Sequence, residues 1–266
     1  MTLHNPFAND KLLAPDSFEF YFWLRHARRS EEPVVVLNAG TGRVAISLAQ
    51  QYIRMIAVEA DEKKRQGGIE RSKAAKVGAS AKGLGGCRIV WQAGEAANFT
   101  LAHKAGMVAM PDYGFQHLLT LDEQRAALRN IHKHLQIGGK LALVLDVPDV
   151  QAMATSQGAT GGTLRPLEPL IDPRNGQTIY VWESSRYDLS EQSVSRHVVY
   201  EMVDELGVTV RRWHRTFKLA YLWPREVQLL LEGMGFDIEA LYGGWNDEPF
   251  TCTRSTKQVW VVRKGI

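Results

Sequence analysis

The sequence lacks the features that mark exported or membrane-embedded proteins. Two cysteines, Cys87 and Cys252, are too few for a disulfide framework. The longest strongly apolar run, residues 141–147, contains Asp146 and is too short to span a bilayer. The first ten residues contain no apolar signal segment. We therefore expect a cytoplasmic protein that does not associate with a membrane.

An excess of charge of one sign is also missing. The 266 residues include 32 basic and 29 acidic side chains, which leaves a formal net charge of +3. This balance gives no argument for nucleic acid as a partner, and the basic stretches 63–76 and 211–218 are interpreted as solvated faces. With 45% hydrophobic and 23% charged residues, the composition is that of a globular protein and excludes a disordered chain, a collagen-like repeat and a coiled coil.

The first 150 residues alternate apolar runs with helical patterns. Continuous apolar runs are typical of parallel strands that are covered on both faces. We predict strands at residues 34–37, 53–58, 87–91, 107–110 and 140–147. Helical spacing separates them, and this alternation predicts a parallel sheet wound by right-handed crossovers.

Two glycine pairs complicate this pattern. Gly67–Gly68 interrupt the helix that is predicted over residues 61–76, because glycine is a poor helix former. Gly138–Gly139 follow the amphipathic helix predicted over residues 121–135 and are interpreted as a turn before the fifth strand.

The pattern changes after Pro148. Residues 151–176 are rich in Gly, Pro, Thr and Ser and predict a loop. Three predicted strands separated by short turns follow, which suggests an antiparallel meander. These strands are at residues 178–183, 193–203 and 208–219. A final helix over 223–234 and strands at 236–242 and 258–263 complete the chain.

We therefore predict an α/β fold with a Rossmann-like, seven-stranded, mostly parallel sheet and helices on both faces. An antiparallel strand insertion lies in its C-terminal half. Residues 1–150 form the predicted cofactor-binding core with an N-terminal helical lid. Residues 151–222 form the insertion, which we expect to supply an acceptor pocket or a dimer surface. Residues 223–266 return to the core as its last helix and closing strands.

A ligand site is predicted after the first strand. The turn from Asn38 to Gly42 is glycine-rich and precedes a helix, so backbone N–H groups could approach a ligand closely. Glu59 ends the second strand, where a carboxylate can accept hydrogen bonds from ribose hydroxyls. A glycine turn without a ligand is the alternative, but the combination with Glu59 favours a nucleoside-containing ligand.

Two nucleoside cofactors compete for this site. The stretch from Gly40 to Ala45 satisfies the G-x-G-x-x-G/A dinucleotide pattern. A dinucleotide fold, however, continues as a second βαβαβ half, whereas this chain turns antiparallel. S-adenosylmethionine needs only one mononucleotide site, so the order of elements favours it.

Several segments carry a resemblance to a known family. They are Val36 to Arg43, Ala57 to Glu59, Gly94–Glu95, Phe115 to Leu141 and Phe236 to Phe250. With these segments the chain resembles class I S-adenosylmethionine-dependent methyltransferases of the small-molecule branch, and within it the glycine-type and amino-sugar N-methyltransferases. The resemblance implies S-adenosylmethionine as the cofactor and methyl transfer to a nitrogen or oxygen of a small molecule.

The resemblance also implies roles for individual residues. Glu59 would bind the ribose, Glu95 the adenine amino group, and the Ala96 N–H a ring nitrogen. A helix start that favours an acidic residue is the alternative interpretation of Glu95. The implied cofactor-binding residues are Asn38, Ala39, Gly40, Gly42, Glu59, Ala60, Glu95, Ala96, Met110 and Asp112.

Acceptor-side residues are also implied. His117, after the fourth strand, is the candidate base for an amine or hydroxyl acceptor. A hydrogen-bonded histidine at the start of the next helix is its alternative. Tyr21 (a second catalytic candidate) and Trp23 would close a lid over the cofactor, or are core aromatics at helical spacing. Arg196 and Tyr242 are further candidates for contact with the substrate.

Two departures from the family pattern raise a second hypothesis. Val36 stands where the family has an acidic residue on the first strand, and Asn38 replaces the first glycine of the turn. The alternative function is a catalytically silent subunit that acts through a partner chain, and a homodimer is also considered. A dinucleotide-dependent oxidoreductase is the third hypothesis. No metal site is predicted, because His132 and His134 point to different faces of one helix.

Overall fold

A computed structural model describes residues 12–30, 32–78, 88–156, 162–172 and 175–265. The first ten residues and Cys87 lie outside the described residues. The chain divides into two compact units. One comprises residues 148–222, and the other comprises the described residues before 148 and after 222.

The larger unit begins with the predicted alternation of helices and strands. Its elements, in chain order, are α1 (Phe18–Ala27), β1 (Val34–Leu37), α2 (Arg43–Ala49), β2 (Met55–Val58), α3 (Glu62–Ala74), β3 (Ile89–Gln92), β4 (Ala105–Met110), a short 3₁₀ helix (Gly114–His117), α4 (Leu121–His134) and β5 (Leu135–Asp146). Side-chain caps mark where α1 and α4 begin. Ser17 Oγ accepts from the Phe20 N–H at 3.2 Å, and Thr120 and Glu123 form a reciprocal capping box on α4.

In its described residues, the smaller unit has one helix and four antiparallel strands. Its elements are α5 (Val150–Ser156), β6 (Arg165–Ile171), β7 (Thr178–Asp188), β8 (Ser193–Val203) and β9 (Thr209–Ala220), with the strands in the order β6-β7-β8-β9. The predicted meander corresponds to β7, β8 and β9. The register places Val181 opposite Tyr200 and Tyr200 opposite Trp213, whose rings stack at 5.2 Å.

The prediction of a loop over residues 151–176 is wrong, because β6 and all but the first residue of α5 lie within it. The Asp149 carboxylate accepts from the Ala152 N–H, and Ala152 and Met153 are buried against Leu219. β6 pairs only with β7 among the described strands, and its register shifts around Pro169. Proline is tolerated on an edge strand, so the composition that indicated a loop is compatible with a strand here.

The last elements complete the larger unit. They are α6 (Pro224–Gly233), β10 (Phe236–Tyr242) and β11 (Lys257–Lys264). The main sheet has seven strands in the order β10-β11-β5-β4-β1-β2-β3, and β11 is antiparallel to both of its neighbours. The other pairings in this sheet are parallel, so the predicted fold class is confirmed.

The predicted turn at Gly138–Gly139 is wrong. β5 already begins at Leu135, directly after α4, and the glycines lie within the strand. Ala105 pairs with Leu135, but Met107 pairs with Lys140, so β5 carries extra residues there. Gly138 has a φ of 74°, which glycine adopts without strain. The glycine pair therefore forms an irregularity in the strand.

The central strands are buried on both faces, as the apolar runs predict. Every residue of β1 and β4 is buried. Val36, the departure from the family's acidic residue, has 1% of its surface exposed. In the part of the chain that the structure describes, no helix combines the length and the apolar character needed to cross a bilayer.

One buried histidine gives a prediction on acid stability. His26 on α1 is 6% exposed, and neither ring nitrogen has a hydrogen-bond partner in the structure. Burial lowers its pKa to about 4, the cations of Arg25, Lys140 and Arg29 act in the same direction, and Asp247 opposes them. In the unfolded chain His26 is therefore protonated near pH 6.5, whereas in the folded protein it stays neutral down to about pH 4. Folding stability consequently decreases as the pH falls from 6.5 to 4.

We expect the free energy of unfolding to be about 2 kcal/mol lower at pH 5 than at pH 7.5 through His26 alone. His26→Phe removes this titration and keeps an aromatic ring beside Phe22. Urea unfolding of both proteins at the two pH values measures the difference. An unchanged pH dependence in the variant would show that His26 is accessible to protons in the folded state.

Candidate functional site

A cavity of about 490 Å³ opens at the carboxyl ends of neighbouring strands in the larger unit. Its volume lies in the range of small-molecule sites. Lining residues follow β1, β2, β3 and β4, which are adjacent in the sheet. The chain leaves β1 toward β2 and β3 on one side and returns to β4 on the other. The cavity therefore lies at the topological switch point, where open α/β sheets bind ligands.

Most of the predicted cofactor residues lie together in this cavity. The predicted residues that line it are Asn38, Gly40, Glu59, Ala60, Glu95, Ala96, Met110, Asp112 and His117. Ala39 and Gly42 belong to the same turn but do not line the cavity. Lining residues that the sequence analysis missed are Asp61, Lys64, Ala97, Pro111, Gly114, Leu118 and Glu123.

The first turn has an unusual backbone. Asn38, Gly40 and Gly42 all have positive φ, at 52°, 58° and 93°. Asparagine tolerates this region better than most residues, which explains how Asn38 replaces a glycine. A Cβ on Gly42 would lie 2.7 Å from the Ile46 side chain, so this position requires glycine for two reasons.

Glu59 points into the first turn. Its carboxylate accepts from the Gly40 N–H at 2.7 Å and from the Asp61 N–H at 3.0 Å. The residue is 7% exposed and lines the cavity. A carboxylate offers about four acceptor positions, so acceptor capacity for ligand hydroxyls remains. Glu59 is thus held in place by the protein and still presents a charge to the cavity.

Helix α3 supports the turn from the other side. Arg65 donates to the Glu59 carbonyl at 3.0 Å, and Arg71 donates to the Thr41 carbonyl at 3.1 Å. The Trp91 ring lies close to both Gly42 and Gly68. These contacts link α3 and β3 to the turn and restrict its movement.

The loop after β3 forms the next part of the wall. Glu95 donates its N–H to Asn98 Oδ1 at 2.8 Å, and its carbonyl accepts from the Phe99 N–H. Asn130 on α4 donates to the carbonyls of Ala96 and Phe99 at 3.1 and 3.0 Å. These bonds fix the loop, with the Glu95 side chain exposed and Ala96 buried.

Arg43 at the start of α2 joins two carboxylates. Its guanidinium donates to Asp112 at 2.5 and 3.2 Å and to Glu19 at 2.7 and 3.0 Å. Burial disfavours the charged guanidinium, but Asp112 and Glu19 outweigh it and raise the pKa of Arg43. Burial also raises the pKa of Asp112, even though Arg43 opposes the shift. Helix α1 is therefore connected to the cavity wall through Arg43.

His117 closes the 3₁₀ helix that follows β4. It is exposed at the cavity wall. Partial enclosure by the protein and the nearby Lys64 cation lower its pKa, while Glu59 acts in the opposite direction. The imidazole is therefore neutral at pH 7 and able to accept a proton. The alternative, a hydrogen-bonded histidine at the start of the next helix, stays open.

The cavity wall is strongly acidic. Among its described residues, Lys64 is the one lysine or arginine. The carboxylates on the wall are those of Glu59, Asp61, Glu95, Asp112 and Glu123. Arg43 compensates one of them, Asp112, from outside the cavity. The remaining excess of negative charge favours a cationic ligand.

Four predicted residues lie elsewhere. The predicted contact of Trp23 with the substrate is wrong, because its side chain is fully buried against Phe22 and Trp245. Tyr21 is 56% exposed on α1 but is not among the residues that line the cavity. Tyr242 packs edge-on against Phe22 and does not line it either.

Arg196 lies on β8, in the smaller unit, and the cavity is lined by the larger unit. The helical spacing of the α1 aromatics did not distinguish the exposed face from the buried one. The catalytic role of Tyr21 and the contacts of Arg196 and Tyr242 with a substrate stay predictions.

This seven-stranded sheet, with its cavity at the switch point, is the fold of S-adenosylmethionine-dependent methyltransferases. The CcbJ methyltransferase from Streptomyces caelestis matches at a TM-score of 0.75 and 24% identity, over 93% of this chain and 96% of that one. CalS10 from Micromonospora echinaspora is an amino pentose methyltransferase solved with S-adenosylmethionine. It matches at a TM-score of 0.68 and 17% identity, over 94% of this chain and 92% of that one.

An S-adenosylmethionine-dependent methyltransferase from Clostridium acetobutylicum matches at a TM-score of 0.72 and 12% identity, also over 94% of this chain and 92% of that one. No protein-family model matches the chain. No curated protein sequence matches it either. At these identities the likeness establishes the fold, and the resemblance found in the sequence is confirmed at that level.

Proposed function

We propose that this protein binds S-adenosylmethionine in the switch-point cavity and transfers its methyl group to a nitrogen or oxygen of a small molecule. One observation carries the proposal above the others. The wall of the cavity presents five carboxylates and one lysine at the position where this fold binds nucleosides. S-adenosylmethionine carries a sulfonium cation and an ammonium group against a single carboxylate, so its net positive charge is complementary to this wall.

The same wall argues against a dinucleotide. A pyrophosphate brings negative charge to the first turn, where the Glu59 carboxylate already accepts from the Gly40 N–H. That amide is therefore engaged, and a second anion beside Glu59 would be repelled. The dinucleotide-dependent oxidoreductase is accordingly disfavoured by charge as well as by the order of elements.

Different residues on the wall bind different parts of the cofactor. Glu59 accepts hydrogen bonds from the ribose hydroxyls, because it is buried, charged and held in orientation. Glu95 and the Ala96 N–H bind the adenine, since the Asn130 side chain fixes their loop. The turn from Asn38 to Gly42 lies beneath the methionine part of the cofactor.

The bound cofactor supplies an electrophilic methyl group, so the protein needs to align the acceptor and manage one proton. Alignment lowers the barrier through proximity and orientation. His117 accepts the proton from the acceptor amine or hydroxyl, because its lowered pKa keeps the imidazole neutral. An acceptor amine is supported by the amino pentose methyltransferase CalS10 and the sugar N-methyltransferase KedS8 among the structural neighbours.

Calorimetric titration tests the cofactor. We expect heat from S-adenosylmethionine binding with one site per chain, and no heat from NAD under the same conditions. Absence of heat with S-adenosylmethionine up to millimolar concentration overturns the proposal. It would instead favour the catalytically silent subunit that Val36 and Asn38 raise as the second hypothesis.

Glu59→Gln tests the ribose contact. A hydrogen bond to a charged acceptor contributes about 2 kcal/mol, so we expect the affinity for S-adenosylmethionine to fall about 30-fold. Glu123→Gln is the matched control. It removes the same charge from the same cavity, while glutamine retains the capping box with Thr120. We expect its affinity to stay within about threefold of wild type, because an exposed charge is screened. Equal losses in the two variants would contradict the assigned role of Glu59.

A further inference from the structure

The segment from Pro111 to Leu118 carries His117 and has a strained beginning. Asp112 and Tyr113 both have left-handed backbones, with φ of 53° and 63°. Consecutive non-glycine residues in this region cost free energy and persist only where surrounding contacts hold them. The position of His117 therefore depends on the contacts that this segment makes with the rest of the larger unit.

Side chains from separate elements hold the segment. Arg43 binds Asp112 from the start of α2. Gln116 is buried, and its Oε1 accepts from the Asp146 N–H of β5 at 2.6 Å. Asn38 in the first turn donates its Nδ2 to the Gly114 carbonyl at 3.2 Å. The bond from Asn38 joins two residues that both line the cavity.

The two ends of this bond fit one another. A Cβ on Gly114 would lie 3.2 Å from Asn38 Nδ2 and 3.3 Å from Asn38 Cβ, which is tighter than ordinary contact. The first turn thus carries a side chain where a glycine was expected, and the facing residue carries none. Gly114 does not have a positive φ, so its backbone does not require glycine. A small residue is required at this position because the Asn38 side chain lies so close.

We infer that Asn38 is a positioning residue for His117, because its amide fixes the cavity side of the segment that carries the imidazole. Asn38, which departs from the family pattern, is then a functional part of the site, and Gly114 leaves room for its side chain. The inference rests on the proposed function only for the role of His117 as a base. The contact itself belongs to the ligand-free protein and is measured there.

Hydrogen exchange and histidine NMR on ligand-free protein test the inference. In Asn38→Gly, we expect the amides of residues 112–118 to exchange about fivefold faster, the effect of one lost neutral hydrogen bond. We expect the titration midpoint of the His117 imidazole to rise toward its ordinary value, because the segment becomes less enclosed. Glycine adopts the turn backbone without strain, so the turn itself is retained.

Two further variants make the result specific. Gly114→Ala should accelerate hydrogen exchange of the same amides in the wild-type background. In the Asn38→Gly background, where the crowding is relieved, the same substitution should accelerate their exchange by less than twofold. Asn130→Ala removes an equivalent amide-to-carbonyl clamp on the other wall. It should accelerate residues 94–99 and leave 112–118 and the His117 titration unchanged.

Unchanged exchange and an unchanged His117 titration in Asn38→Gly would overturn the inference. Equal acceleration of both segments in Asn38→Gly would overturn it too, since that outcome indicates general destabilisation. Failure to bind S-adenosylmethionine would refute the proposed function and leave these measurements unaffected.

Discussion

Arg43→Met should lower the free energy of unfolding by about 3 kcal/mol. The guanidinium side chain is 8% exposed, and it is hydrogen-bonded to both Glu19 and Asp112. Methionine fills much of the volume, but it leaves two carboxylates facing each other without a cation. Chemical denaturation at pH 7.5 measures the loss, and we expect weaker cofactor binding because Asp112 lines the cavity.

Arg25→Met is the control for this variant. Arg25 forms a bidentate pair with Asp247, but the two side chains are 40% and 37% exposed. Exposed pairs contribute less than about 1 kcal/mol, so the same substitution should have a small effect here. Combining Arg43→Met with Glu19→Gln and Asp112→Asn should recover most of the lost stability, because no charge is then left unpaired. Equal losses for Arg43→Met and Arg25→Met would contradict the argument.

Several residues of the cavity wall were predictable from local signals and from the family resemblance. Glu59 and Glu95 each follow a recognisable strand, and the carboxyl ends of parallel strands meet at one edge of a sheet. The structure places both on the wall of one cavity. Glu59 was predicted from its position at the end of a strand, whereas Glu95 and His117 were implied by the family resemblance.

The contacts that hold the site could not be predicted in this way. Arg43 meets Glu19 and Asp112, which are 24 and 69 positions away in the sequence. No periodicity links charges at such separations, and an arginine after a glycine turn looks like an exposed residue. Asn38 was predicted as a residue of the cofactor turn and as a departure from the family pattern, but its contact with Gly114 depends on the pairing of β1 with β4.

Aromatic residues on α1 illustrate a second limit. Tyr21 and Trp23 lie two positions apart, and the sequence around them is aromatic on more than one face of the helix. One ring is 56% exposed and the other fully buried. Composition alone gives no way to assign the faces of such a helix, because both assignments bury an aromatic surface.

Gly68→Ala should destabilise the protein by about 2 kcal/mol although it improves helix propensity. Gly68 lies inside α3, and a Cβ there would be 2.1 Å from the Trp91 ring. The ring cannot move away freely, because it lies close to Gly42 in the first turn and its Nε1 donates to Ser72 Oγ at 3.3 Å. The second glycine of the pair within the predicted helix is thus explained by the packing of Trp91.

Gly67→Ala is the matched control for this prediction, one position away on the same helix. Its Cβ would lie 3.6 Å from the Thr41 side chain, an ordinary contact. We expect this variant to gain about 0.5–1 kcal/mol, because alanine loses less backbone entropy than glycine on folding. Urea unfolding of the two variants measures the opposite signs. In a Trp91→Leu background the two substitutions should become similar, and a Gly68→Ala loss that persists there would assign the crowding to some other neighbour than the indole ring.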